Sequence, residues 1–387
     1  EAVAGCEILE GLCTHRGTCE NLFSEHTIYY LVRCLFISRW MFSGPPQSDR
    51  RLMMSFNCVR SAANALANIC AAVKGSDVRE DEILHGAARA DMMDPVCFFV
   101  SNLGVLQPHL TPALLALQRD AAKSVLGFLR EYARVTIQRS LSSLTADDEE
   151  VDIEVIRSLE PIGTTIIKVI KELKKVYERE EDLMVELLEK CCAVIEVISS
   201  YASGAKVVSA EWHSGKAFSE HLPPPLSGVG ENGIYEENYK KGLMKMSPNL
   251  IRCLSNLCQT ESGRGDCLSD GFLRRALDKF SILFPVVEDL LLKWQDSVDN
   301  YVKPIDVFAK AETPQQSKDL IYKVRECTSC LVLVGMCTNY TSYMYGAAND
   351  LILLAHYQLI ERCVTLLRRT GKTVWSAYME AALKCVV

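Results

Sequence analysis

Residues 254–258 read Leu254-Ser255-Asn256-Leu257-Cys258, and they close an apolar segment that is followed by a polar turn and a second apolar segment. Related stretches stand at 9–13, 66–70 and 334–337. Each ends an apolar segment with a small residue or Asn, then an apolar residue, then Cys. The recurrence predicts an internal repeat of helices rather than a single irregular domain.

The spacing of these stretches indicates the length of the repeat. Cys258 and Cys337 are 79 residues apart, and Cys13 and Cys258 are 245 residues apart. The two distances correspond to two and six units of about 40 residues, the period of armadillo and HEAT arrays. Cys13 and Cys70 are 57 residues apart, which fits only if residues 43–49 form an inserted loop.

The rest of the chain has the periodicity of helices, and alternation typical of strands is almost absent. Prolines fall mainly between the periodic segments, where they separate helices of ten to twenty residues. The sequence therefore predicts an all-α fold. The thirteen prolines are Pro45, Pro46, Pro95, Pro108, Pro112, Pro161, Pro223, Pro224, Pro225, Pro248, Pro285, Pro304 and Pro314.

Residues 64–70 and 254–258 resemble the end of the third helix in armadillo repeats, which commonly reads Ala-Leu-x-Asn-Leu-Cys. The resemblance implies an armadillo/HEAT-like α-solenoid, a right-handed superhelix whose concave face is lined by third helices. It also implies that the helix-end Asn hydrogen-bonds the backbone of an extended bound peptide. The candidate protein-binding residues are Asn68, Arg252, Asn256, Arg274 and Arg275.

Composition divides the chain into two helical halves, residues 1–202 and 241–387, joined by a loop insertion at 203–240. The proposed insertion contains three consecutive prolines and several glycines. Its Gly-x-Gly-x-x-Gly stretch at 228–233 follows the prolines rather than a strand, so we interpret it as loop and not as a dinucleotide site.

Between Ile166 and Ile198, apolar residues recur at spacings of three and four residues, and only Glu180 interrupts this row. Five heptads are compatible with a coiled coil. The charged break at 178–182 favours a second interpretation, two helices at about 159–178 and 183–202 that form a pair.

Charge is uneven along the chain, which carries 42 basic and 49 acidic residues and a net charge of -7. This balance disfavours nucleic acid as the main partner. Residues 141–202 hold 7 basic and 15 acidic groups, and the acidic run at 147–152 is either a loop or helix N-terminus or an acidic docking surface. Residues 241–387 hold 18 basic and 15 acidic groups, which favours an acidic segment as their ligand.

Seventeen cysteines, most of them in apolar helical patterns, indicate buried thiols in a reducing compartment. Cys13, Cys70, Cys258 and Cys337 are predicted to be buried, reduced and metal-free. Cys13, His15 and Cys19 are possible metal ligands, but the repeat explains Cys13 without a metal. The Cys-x-x-Cys at 327–330 lacks a second ligand pair or a thioredoxin-like setting, so we expect core packing.

We expect a non-catalytic interaction scaffold or adaptor, with no cofactor and no metal. No P-loop, Gly-x-Ser-x-Gly, His-Glu-x-x-His or kinase motif is present, and the seven histidines are scattered. A regulator or exchange factor for a nucleotide-binding protein is the alternative, and an enzyme is the third.

The expected partners are other proteins in a larger complex, and the expected location is the cytoplasm, with cytoskeletal association as an option. No apolar run reaches about 18 residues, so no transmembrane segment is expected. The chain opens at Glu1 rather than Met, which is typical of a processed or partial chain.

Overall fold

The computed structural model describes most of the chain up to residue 299 and a few positions beyond it. The described residues are 2–15, 17–19, 24–43, 47–73, 77–89, 91–103, 110–143, 149–176, 181–215, 217–218, 221, 233–299, 322–323, 326–327, 329–330, 332–333 and 361. Cys337 and the whole stretch at 222–232 lie outside them.

Helices account for nearly all of the described chain, and no strand occurs within it. The prediction of an all-α fold is confirmed. None of the described helices has the length and the apolar character needed to cross a membrane. In chain order the helices are α1 (Ala2–Cys13), α2 (Glu25–Leu35), α3 (Ile37–Ser43), α4 (Asp49–Ala72), α5 (Asp77–Arg89), α6 (Met93–Ser101), α7 (Pro112–Ser143), α8 (Glu149–Val176), α9 (Glu181–Ser199), α10 (Ala202–Gly215), α11 (Gly233–Lys245), α12 (Pro248–Leu257), α13 (Glu261–Ser269) and α14 (Phe272–Asp299).

The chain divides into two compact units, residues 1–220 and 221–387. In the first unit, α4 packs against α1, α2, α3 and α7. Its middle turns carry Ala62, Ala63 and Ala65, all fully buried. Short side chains at these positions allow neighbouring helices to approach the backbone of α4 closely, so α4 forms the centre of this unit.

The apolar row between Ile166 and Ile198 forms two helices rather than one coiled coil. Helix α8 ends at Val176, helix α9 begins at Glu181, and the two pack against each other. The interpretation as a helix pair is confirmed. Helix α8 already begins at Glu149, so the end of the acidic run stands in its first turn, where carboxylates meet the positive end of the helix dipole.

The second unit contains α11 to α14, and its short helices have well-defined beginnings. Ser247 caps α12 by accepting a hydrogen bond from the backbone N–H of Leu250 at 3.2 Å, and Pro248 occupies the first helical position. Thr260 caps α13 in the same way through the N–H of Gly263 at 3.0 Å. These side chains satisfy donors that every helix start leaves open.

The prediction that residues 203–240 form a loop is wrong for two parts of this range, which are helical. Residues 203–215 belong to α10 and residues 233–240 belong to α11. Helix α10 packs on α8 and α9, and Ala205 and Val208 are fully buried there. Tertiary burial of a short apolar face therefore outweighs the weak helix signal of this Gly- and Ser-containing segment.

Two prolines that the sequence places between helices lie inside them instead. Pro161 stands within α8 and Pro285 within α14. A proline in a helix interior removes one backbone hydrogen bond and disfavours the helix. Burial of neighbouring apolar side chains offsets this cost in both helices. Ile162 and Ile166 are fully buried beyond Pro161, and Phe284 and Val287 flank Pro285 in the core.

Gly263 is required where α12 turns into α13. A Cβ at this position would lie 2.1 Å from the backbone oxygen of Leu257, a distance that real Cβ atoms do not show. Gly265, two residues later in the same helix, would meet nothing within 4 Å. The close approach of the two helices therefore depends on the missing side chain at only one of the two glycines.

We expect Gly263→Ala to lower the free energy of unfolding by about 1–3 kcal/mol, because the backbone must move to admit the methyl group. Gly265→Ala is the matched control, and we expect no loss, or a gain of up to about 1 kcal/mol from better helix propensity. Urea unfolding followed by circular dichroism measures both. Equal stability of the two variants would contradict the close approach.

Candidate functional site

The structure places the five predicted binding residues in three helices of two units. Asn68 lies in α4 of the first unit, Arg252 and Asn256 lie in α12, and Arg274 and Arg275 lie in α14 of the second unit. Asn68, Arg252 and Asn256 are half-buried. Because Arg252 and Asn256 are four residues apart, they share one face of α12.

Arginine side chains cap the helix ends that carry the repeated Cys. The Arg134 Nη2 donates to the backbone oxygen of Cys70 at 2.9 Å, just after Asn68 in the chain. In the second unit the Arg264 Nη1 donates to the backbone oxygen of Cys258 at 3.0 Å. Open carbonyls and the negative end of the helix dipole favour a cation at this place, and an arginine fills it at both of these helix ends.

Arg274 and Arg275 have different roles although they are adjacent. Arg275 is 7% exposed, and its Nη1 donates to the backbone oxygens of Asp270 at 2.8 Å and Gly271 at 3.1 Å. Burial lowers the pKa of its guanidinium. Arg275 therefore caps the end of α13. Adjacent residues of a helix point about 100° apart, so Arg275 lies on the buried side of α14 while Arg274 is exposed.

Arg274 remains on the surface, where it pairs with Asp278 one turn later at 3.2 Å. Asp278 also accepts a hydrogen bond from the Tyr239 hydroxyl at 2.7 Å. Burial and this hydrogen bond to a carboxylate raise the pKa of Tyr239 above its ordinary value. Arg274 is thus the arginine of the adjacent pair that a partner can reach.

We expect Arg275→Ala to destabilise the protein by about 1.5–3 kcal/mol, because it removes charge-assisted hydrogen bonds from the backbone oxygens of Asp270 and Gly271. We expect Arg274→Ala to change stability by less than about 0.5 kcal/mol, the usual contribution of an exposed ion pair within a helix. Thermal unfolding of the two variants gives the comparison. Similar losses at both positions would mean that Arg275 is not a structural cap.

Lys279 and Glu326 form a buried ion pair that the sequence did not reveal. The Nζ–Oε1 distance is 2.8 Å, Lys279 is fully buried and Glu326 is 3% exposed. The Lys279 ammonium also donates to the backbone oxygen of Met246. Lys279 lies one turn beyond Arg275, and its neighbour Phe280 is also fully buried. In the sequence, the only sign of a buried lysine was its position among these apolar residues.

We expect Lys279→Met to destabilise the protein by about 3–5 kcal/mol, because it leaves the Glu326 carboxylate buried without its cation. The double variant Lys279→Met/Glu326→Leu is expected to recover most of the loss, since hydrophobic replacements of a whole buried pair are often neutral. A double-mutant cycle by urea unfolding measures the coupling. Additive losses would show that the two charges do not depend on each other.

The cysteines confirm part of the sequence prediction. Cys13, Cys70 and Cys258 are all buried, and burial raises the pKa of the Cys70 thiol. Cys327 and Cys330 of the Cys-x-x-Cys motif are also fully buried, as expected for core packing. His15 is exposed, whereas the thiols of Cys13 and Cys19 lie within hydrogen-bonding reach of each other.

A second group of thiols was missed. Cys6, Cys34 and Cys58 come from α1, α2 and α4, and their sulfur atoms all lie within 4.8 Å of one another. Hydrogen bonds from Cys58 and Cys6 lower the pKa of the Cys34 thiol, and the same contacts raise the pKa of its two partners. Among the described residues, these three thiols are the group whose ligand atoms lie close enough together to bind one metal ion.

No protein-family model matches the chain, and no curated protein matches its sequence. The resemblance to armadillo and HEAT repeats rests on the residues quoted above.

Proposed function

We propose that the chain is a non-catalytic protein–protein interaction scaffold or adaptor, built as an armadillo/HEAT-like α-solenoid and acting in a larger cytoplasmic assembly. Helices that follow one another at the repeated Cys stretches support this architecture. Helix α2 follows α1 in the chain, and helices α13 and α14 follow α12. Repeat arrays of this kind present long surfaces to partners.

Exposed apolar side chains in the first unit carry the proposal. Trp40 in α3 is 79% exposed and Tyr30 in α2 is 66% exposed. Tryptophan is highly buried on average, so an indole at this exposure is unusual in an unpartnered surface. The large apolar residues that α1 to α4 expose are Ile8, Leu12, Tyr30, Trp40, Met53 and Met54.

Trp and Tyr are also the residues that contribute most to protein–protein interfaces. An aromatic ring loses little conformational entropy when it is fixed and buries a large apolar area. The side chains of Tyr30 and Trp40 thus provide two anchors for a partner protein on consecutive helices.

The polar contact set of the proposal is Asn68, Arg252, Asn256 and Arg274. Asn can pair with both the N–H and the C=O of an extended peptide, and Arg binds carboxylates through two donors. The competing explanation is that the two asparagines only cap their own helices. Arg134 and Arg264 already donate to the terminal carbonyls of Cys70 and Cys258, which weakens that explanation.

The test is affinity purification of the tagged full chain with quantitative mass spectrometry. We expect Tyr30→Ser/Trp40→Ser to reduce recovery of at least one partner about tenfold or more, the loss typical of interface anchors. We expect Arg252→Ala/Asn256→Ala to reduce recovery of a partner that presents an acidic or extended segment.

Met244→Ser is the matched control, because Met244 is an apolar residue of the second unit that is 42% exposed. Circular dichroism and melting temperature show whether each variant is folded. Unchanged recovery for both double variants, with intact folding, would refute the proposed surfaces.

A further inference from the structure

Three cysteine thiols converge between the first helices of the chain. Cys6 in α1 and Cys58 in α4 have their sulfur atoms 3.9 Å apart, and the sulfur of Cys34 in α2 lies within 4.8 Å of both. The three positions are 28 and 24 residues apart in sequence, so only the packing of the helices brings them together.

The distances suit a thiophilic cation. A zinc–sulfur bond is about 2.3 Å, which requires sulfur atoms about 3.8–4.0 Å apart around one ion. The Cys6–Cys58 separation of 3.9 Å lies in this range, and the Cys34 sulfur lies within 4.8 Å of both. Thiolates are the ligands that select zinc(II) and copper(I) over harder ions.

The surrounding helices hold the ligands in place. Helices α1 and α2 both pack on α4, and the Asn64 Nδ2 donates to the Glu10 Oε1 at 2.7 Å. Glu10 lies four residues after Cys6, and Asn64 lies six residues after Cys58. Cys6 and Cys58 are buried, whereas Cys34 is half-buried. An ion can therefore enter beside Cys34, and a water on that side can supply a fourth ligand.

Core packing alone explains single buried cysteines but not a convergent group. Cys253, Cys258 and Cys267 are equally buried in the second unit. These cysteines do not form such a group. Among the described residues, only Cys6, Cys34 and Cys58 bring three His, Cys, Asp or Glu ligand atoms close enough together to bind one ion.

We propose that Cys6, Cys34 and Cys58 form a three-thiolate site for one thiophilic d10 cation, zinc(II) or copper(I). The ion replaces the thiol protons and bonds to three sulfur atoms, so it links α1 and α2 to α4. With zinc(II), a water completes four ligands, and with copper(I) the three sulfurs suffice. The site does not depend on the proposed partner surfaces, although Cys34 lies one turn beyond Tyr30 on α2.

The experiment uses the full chain, stripped of metal and kept reduced with a phosphine. Zinc(II) is titrated against a chromophoric zinc chelator, and copper(I) against a bidentate copper(I) chelator. We expect one ion per chain by native mass spectrometry, and a rise in melting temperature on binding. Cobalt(II) substitution is expected to give the intense near-ultraviolet band of sulfur-to-cobalt charge transfer.

Cys34→Ser is the main variant, because a half-buried position disturbs the core least, and we expect it to weaken binding at least about 100-fold. Cys13→Ser is the matched control, since Cys13 lies on the same helix as Cys6 and is equally buried. Circular dichroism of the metal-free variants establishes that they are folded.

The two titrations separate the ions. One zinc(II) or one copper(I) bound tightly and lost in Cys34→Ser supports the site and identifies its ion. Failure of both ions to compete with the chelators overturns it. So does binding that Cys34→Ser leaves unchanged, or binding that a folded Cys13→Ser abolishes equally, because the ligands are then other thiols.

Discussion

The burial of α4 along most of its length is the constraint on which the first unit depends. Four neighbouring helices contact it, and its middle turns have only methyl side chains at Ala62, Ala63 and Ala65. Larger residues there would separate the neighbours from the backbone at a cost of about 1–3 kcal/mol each. Because the neighbouring helices are held so closely, the contacts that Cys58, Asn64 and Cys70 of α4 make with Cys6, Glu10 and Arg134 are fixed as well.

A second constraint acts at helix ends, where carbonyl groups must find donors. In both units arginine meets this need: Arg134 and Arg264 serve the Cys70 and Cys258 ends, and Arg275 serves the end of α13. Each guanidinium also places a positive charge at the negative pole of a helix. The repeated stretch is thus a structural junction first, and any partner contact by its Asn side chains is added to that junction.

Because Arg264 and Arg275 are buried, the net positive charge of residues 241–387 does not describe the surface of this half. Residues 241–387 have three more basic than acidic groups, but Arg264, Arg275 and Lys279 are buried. Inside the unit Arg264 and Arg275 donate to backbone carbonyls, and Lys279 pairs with Glu326, so these cations are not presented to a partner. An attraction for acidic segments therefore rests on exposed or half-buried cations such as Arg274 and Arg252, and not on the net charge of the half.

The sequence was sufficient for features that depend on local periodicity. It predicted the all-α class, the separation of α8 from α9, and the burial of Cys13, Cys70 and Cys258. It failed at Pro161 and in α10, where tertiary packing outweighs the local signal. It also could not separate Arg274 from Arg275, because the choice between a cap and a surface residue depends on how α14 is rotated against α13.

The Cys6–Cys34–Cys58 cluster also could not be predicted from the sequence, because it depends on the register between helices. Along α1 the contacts to α4 follow the order Cys6 to Cys58 and then Glu10 to Asn64, so the two helices run in the same direction there. A shift of one residue in this register would rotate Cys6 by about 100° around its helix and away from Cys58. No ligand spacing in the sequence encodes such a register. An apolar pattern predicts that a cysteine is buried, whereas the packing of three helices decides which other sulfur atoms it meets.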